Sequence, residues 1–292
     1  MIVNKKIKRT MLESKSQYLG SLLLIIFSCL LFTMFNLVSV NLTGLLSSFE
    51  RDYKQEDANF MTDKKLNNIE ALESKFNMNI EEAKSIDYSI SKDKTLRIFR
   101  ENTKVDIPAI IEGKALSGGH ILIDPSYAKA NKLKIGNSIK IYNKNFTISG
   151  FMSLPNYIYP LKSESDILND PNSFGIAVIG KDDFNSLNRG NSFYAIRFNG
   201  DRSNLDNRIS QFKDYLRTKN VIILSWMNVT DNPRVTYMTA KLAGIDEMSS
   251  SMPISILLLT CILTGIVMWR MLKRESPIIG TLYALGYKKR EI

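Results

Sequence analysis

Twenty-two consecutive residues, 248–269, carry no charged side chain, and no other feature limits this chain's folding so tightly. As a helix they rise roughly 33 Å, against roughly 30 Å for the hydrocarbon core of a bilayer. Leu19 to Leu46 is charge-free as well, and Leu19 to Val40 alone is long enough to span. A cleaved secretion signal has an apolar core of about 7–15 residues closed by small residues. This run is longer and no A-x-A pattern ends it, so it reads as an uncleaved span.

Charge gives the orientation. The chain's net charge is +10, and residues 1–17 and 270–292 each contribute +4, which leaves +2 for everything between. Lys and Arg within about 15–20 residues of a span mark its cytoplasmic side. The basic character therefore belongs to two membrane flanks and not to a nucleic-acid surface. Both ends are expected in the cytoplasm of a bacterial cell membrane protein. The expected division is a cytoplasmic basic amphipathic helix at 1–17, a transmembrane helix at 18–46, an extracytoplasmic domain at 47–247, a second transmembrane helix at 248–269 and a cytoplasmic segment at 270–292.

Polar stripes inside the runs suggest helix partners. Ser21, Ser28, Asn36 and Ser39 fall within about 80° of one another on a helix, and Thr260, Cys261, Thr264 and Gly265 make a similar small-residue row. The only cysteines, Cys29 and Cys261, sit in the apolar runs, so the domain between folds without disulfides, as suits a bacterial surface domain.

In that domain, apolar spacing predicts a helix at about Thr62 to Phe76 through Leu66, Ile69, Leu72 and Phe76. Strands are expected at Ala83–Ile90, Thr95–Arg100, His120–Ile123, Ser138–Tyr142, Phe146–Phe151, Phe174–Ile179, Phe193–Phe198 and Val221–Trp226. Short and long helices are expected at Pro125–Asn131 and Leu205–Arg217. The fold class is an α-helical membrane protein with a large α+β extracytoplasmic domain. Within it an α/β part carries an inserted β-rich subdomain at about 105–165. Tyr237 to Met248 reads as a helix leading into the second span, and Pro277 as the start of a separate short helix.

Chemistry is sparse. His120 lies near Ser117 but in a Gly-Gly turn, with no second base and no nucleophile elbow. There is no zinc cluster, calcium loop or phosphate-binding Gly-rich loop. The acidic pairs Glu81-Glu82 and Asp182-Asp183 read as solvated surface. Tyr157, Tyr159 and Trp226 suit a core better than a ligand groove. The chain is read as a non-enzyme.

The layout resembles the FtsX-like permeases of ABC transporters, including MacB-type exporters. One stretch that carries the resemblance is Gly118-Gly119-His120-Ile121-Leu122-Ile123-Asp124, with Leu133-Lys134-Ile135-Gly136-Asn137-Ser138-Ile139 and Phe146-Thr147-Ile148-Ser149-Gly150-Phe151. Another is Arg274-Glu275 followed by Ile279-Gly280-Thr281-Leu282-Tyr283-Ala284-Leu285-Gly286. The resemblance implies a permease subunit that binds no cofactor itself. ATP is bound by a partner, a cytoplasmic ABC ATPase, coupled through Glu275, Ile279, Gly280, Leu282, Ala284, Leu285 and Gly286. It implies a dimer or pseudo-dimer of such units, used for export or mechanotransmission, and a chain that is the N-terminal part of a longer or split protein. The alternative is a two-span receptor with an extracytoplasmic sensor domain. Pro277 and Gly280, as helix breaks, argue against the continuous signalling helix a receptor needs.

Overall fold

The computed structural model describes residues 15–286. The expected amphipathic leader at 1–17 and the basic cluster at 288–290 therefore lie almost wholly outside the described residues. Two compact units emerge: a helical one formed from residues up to 44 and from 242 onward, and a domain spanning Leu45–Lys241.

In the helical unit, α1 (Lys15–Asp52) and the last helix, α6 (Pro233–Ala284), are each long and apolar enough to cross a membrane. Their large side chains point outward: Leu30 is 62% exposed and Leu258 60%. The covered positions are polar or small. Ser28 and Ser39 on α1 lie three turns apart, and Ser249, Pro253 and Thr260 share one face of α6. The Ser39 hydroxyl donates to the Asp246 carboxylate, tying the two helices together. Within each helix Ser28 and Thr260 bond back to the carbonyls of Leu24 and Ile256, both at 2.8 Å. Asn36 and Cys261, from the predicted stripes, are exposed.

The sequence expectation of a helix restarting at Pro277 is corrected. α6 runs unbroken through both Pro253 and Pro277. Proline's fixed φ is itself helical, and what it removes is one N–H bond and some room beside the carbonyl four residues back. One turn further on, the Thr281 hydroxyl donates to the carbonyls of Ile278 at 2.8 Å and Pro277 at 3.2 Å. The helix ends at Gly286, whose φ of 89° is the left-handed value a side chain disfavours.

The domain is built on a ten-stranded mixed sheet. Its strands are β1 (Ala58–Thr62), β2 (Met78–Ser91), β3 (Lys94–Arg100), β4 (Ala109–Gly113), β5 (His120–Ile123), β6 (Ser138–Ile141), β7 (Lys144–Ser153), β8 (Phe174–Ile179), β9 (Asn191–Phe198) and β10 (Ile223–Asn228). Their order is β10-β1-β9-β2-β3-β8-β5-β7-β4, with β6 hairpinned onto β7. β3 and β8 run parallel, and so do β5 and β7. The predicted β-rich stretch thus continues the same sheet beyond β8, through the β5–β8 pairing.

Alternation along the strands separates two faces. Phe60, Ile80, Tyr194 and Ile196 point toward α2 (Ile69–Phe76) and α5 (Leu205–Thr218), where Phe212 and Leu216 meet them. Farther along that face Leu96, Ile98, Ile121 and Ile179 form a second core with Phe184 of α4 (Lys181–Ser186) and Tyr127 of α3 (Pro125–Ala130). On the opposite face Phe99, Leu122, Met152 and Val178 pack with Leu154 and Tyr157 of the connecting strap. Gly175 lets this sheet accept the Tyr127 ring, since a Cβ there would lie 2.3 Å from it.

The predicted helix at Thr62 to Phe76 is also corrected. Its first residue belongs to β1, which lies between β9 and β10 and must be extended. Leu66 is buried without being helical, and its N–H bonds the Tyr194 hydroxyl at 3.0 Å. The helix waits for Asn68, whose side chain accepts from Ala71.

Candidate functional site: a polar cleft and an exposed helix end

A cleft of about 660 Å³ opens on the face of the sheet opposite α2 and α5. Strand alternation puts Asn59 and Met61 of β1, Ser85 and Asp87 of β2, Arg97 of β3, Phe193 of β9, and Ser225 and Met227 of β10 along it. The strap after β7 closes one side. It begins with a 3₁₀ turn, Pro155–Tyr157, and is tied to the first turns of α6. Tyr159 stacks on Tyr237 with ring centroids 3.8 Å apart, and its N–H bonds the Arg234 carbonyl at 2.9 Å.

Tyr157 is the centre of this arrangement. Its hydroxyl accepts from Arg97 at 2.9 Å, and the Arg234 guanidinium lies 4.7 Å from its ring. Arg97 grips Asp87 through two bonds, 2.6 and 2.8 Å. Burial alone would lower the Arg97 pKa, but the Asp87 bond and the charges of Tyr157 and Asp87 raise it above its ordinary value. Arg234 donates to the Leu161 carbonyl at 3.1 Å and lies 3.4 Å from Glu164. The cleft's two arginines therefore already have acidic partners, and neutral amides, hydroxyls and thioethers make up much of the remaining wall. Lys162, also in the wall, lies 3.4 Å from the Thr95 hydroxyl.

The sequence candidates are distributed as follows. Tyr157 packs in the core and lines the cleft at once. Tyr159 belongs to the strap and stacks on Tyr237, and Trp226 is among the residues bordering the cleft while its ring stacks 4.9 Å from Phe60 in the aromatic core. Ser117 Oγ and His120 Nδ1 lie 2.6 Å apart, but the ring's other close contact is the Gly118 carbonyl, a turn geometry. Neither acidic pair is only solvated surface. Glu81 accepts from the N–H groups of Thr103 and Lys104, and Asp183 from that of Gly119. Arg97 and Arg234 had no sequence signal, because their alignment depends on a strap and a strand far apart in the chain.

The coupling candidates occupy the last turns of α6. Leu285 is 75% exposed, Ile279 39%, and Leu282 is half-buried. Gly280 and Ala284 are exposed, and Gly286 closes the helix. Glu275, half-buried, lies 3.7 Å from Arg274. An apolar row at a helix terminus suits a groove on a partner better than it suits water.

Compared with known proteins, the chain matches no family model and no curated protein.

Proposed function

We propose that this chain is a permease subunit of an FtsX-like ABC transporter, inserted in a bacterial cell membrane with both ends cytoplasmic. A separate cytoplasmic ATPase binds ATP and seats the end of α6 in its groove, with Leu285 and Leu282 as anchors. Movement passes along α6 toward the domain and serves export or mechanotransmission, with units working as a dimer or pseudo-dimer. The observation that carries this reading is one uninterrupted helix. It starts at Pro233, stacks Tyr237 on the strap's Tyr159, includes the charge-free run and ends at Ala284, next to the exposed Leu285. The test is Leu285→Asp in the full chain, reconstituted with its ATPase. Stimulation of ATP hydrolysis should collapse while membrane insertion persists; unchanged stimulation removes the coupling role.

The same continuity favours a second reading, a two-span receptor whose sensor domain signals through α6, because Pro277 does not break that helix. A receptor would be insensitive to an ATPase and would respond to a ligand of the outer cleft. Retention of a cytoplasmic ABC ATPase on the purified chain distinguishes the two.

A further inference from the structure

At the place where the chain leaves α1 and enters β1, five buried polar atoms meet no partner among the described residues: Glu56 Oε2, Asp106 Oδ2, Arg100 Nε, Asn102 Oδ1 and Asn156 Oδ1. Glu56 is 0% exposed and Asp106 1%. Buried groups left in this condition are costly, so a cluster of them marks something that completes it.

The atoms sort into two sets. The Glu56 and Asp106 carboxyls lie close enough to influence each other, and each keeps one oxygen that meets no hydrogen-bond partner among the described residues. Their other oxygens are engaged, since Glu56 Oε1 accepts from Asn59 at 2.6 Å and Asp106 Oδ1 from the Glu56 N–H at 2.9 Å. Two carboxyl oxygens cannot bond without a proton between them. Arg100, Asn102 and Asn156, together with Asp106 itself, border a cavity of about 10 Å³. That is near the volume one water needs. One donor and two acceptors, Arg100 Nε with Asn102 Oδ1 and Asn156 Oδ1, can all be met by one water, which accepts from the first and donates a proton to each of the others.

We propose that one proton shared by Glu56 and Asp106 and one ordered water in the adjoining cavity complete this cluster, making it a pH-sensitive stitch at the domain's two helix entries. The elements it joins define its role. Asp106 and Ile107 donate to the Lys54 and Tyr53 carbonyls just after α1, each at 2.9 Å. Gln55 donates to the Pro155 carbonyl of the strap at 2.6 Å, and Asn232, ahead of α6, donates to Asn156 at 3.2 Å. The charges facing the pair are Arg234 toward Glu56 and Arg197 toward Asp106; Arg197 also faces Asp57 and Glu50.

The sign follows from burial. Burial holds both carboxyls above the usual carboxylate range, and for Asp106 the Glu56 charge adds to it, against the opposing arginines. An acid that holds its proton more tightly when folded adds stability that is complete below its unfolded pKa and lost as pH rises through the folded one. Alkaline conditions therefore release the stitch. Glu50 and Asp57 are raised by burial in the same sense, so the pair must be isolated by substitution.

The full chain in detergent is compared with Asp106→Asn and, should that variant fold poorly, Glu56→Gln. Infrared spectra at neutral pH should show a protonated carboxyl band that the variant lacks. The wild-type melting midpoint should fall by roughly 2–4 °C between mildly acidic and mildly alkaline pH, and the variant's fall should be less than half of that. A crystal structure should show a water bonded to Arg100 Nε. No protonated band, an unchanged pH slope, or a protein group filling the water's place overturns the proposal. None of these readouts involves an ATPase, so their failure is separate from failure of the permease reading.

Discussion

The helical unit and the sheet domain use the same residue types on opposite sides. In the domain Phe60, Ile98 and Ile121 are 0% exposed. In α1 and α6, Leu30, Leu258 and Leu263 face outward, while Ser28, Ser39 and Thr260 are covered. The domain's arrangement is what water selects, with apolar surface removed and polar surface left. The helices' arrangement is what hydrocarbon tolerates, with apolar side chains facing the medium and small polar ones holding helices together. The medium, more than the composition, decides which side a leucine takes.

Substitutions can break that contrast. The largest effect is expected from Phe60→Ala, which removes a ring stacked with Trp226 and Tyr194 and should cost about 3–5 kcal/mol in chemical denaturation followed by tryptophan fluorescence. Leu30→Ala, in the same experiment, should leave the domain's transition where it was. Equal costs at the two positions would erase the distinction. Next, Leu30→Lys should impair insertion by about 2.5–3.5 kcal/mol, read as the fraction of chain recovered in membranes. Full recovery would mean that this face does not meet lipid. Gly175→Ala forces a methyl against Tyr127 and should lower stability by about 1–3 kcal/mol, read as a melting shift. The smallest effect is expected from Arg97→Met, about 1 kcal/mol or less, because Asp87 is 45% exposed and water screens the pair. A much larger loss would make the cleft's polar wall part of the domain's core stability.

Much of this was legible in the sequence where local pattern decides. β5 and β8 lie at the expected His120–Ile123 and Phe174–Ile179, short apolar runs bounded by turns, and α5 ends one residue beyond its predicted Arg217. The misses came where distant chain overrode local preference. Thr62 is strand because it pairs with Ile223 of β10, and β2 begins at Met78, before the Glu81-Glu82 pair that reads as solvated surface. β4 at Ala109–Gly113 follows Pro108, a local breaker, yet pairs with β7. The cleft was only half visible. Tyr157 was noticed as an aromatic, but the arginines that hold it come from residues 97 and 234, and no periodicity links those positions.

Those arginines have a consequence for anything that enters the cleft. Arg97 arrives already engaged by Asp87, and Arg234 by Glu164 and a carbonyl. A visiting anion would compete with a resident carboxylate at either arginine, so the exchange there returns little. Among the described residues Lys162, whose ammonium lies 3.4 Å from the Thr95 hydroxyl, is the lining cation an anion could reach without that competition, and raising the salt concentration should weaken only this part of the recognition.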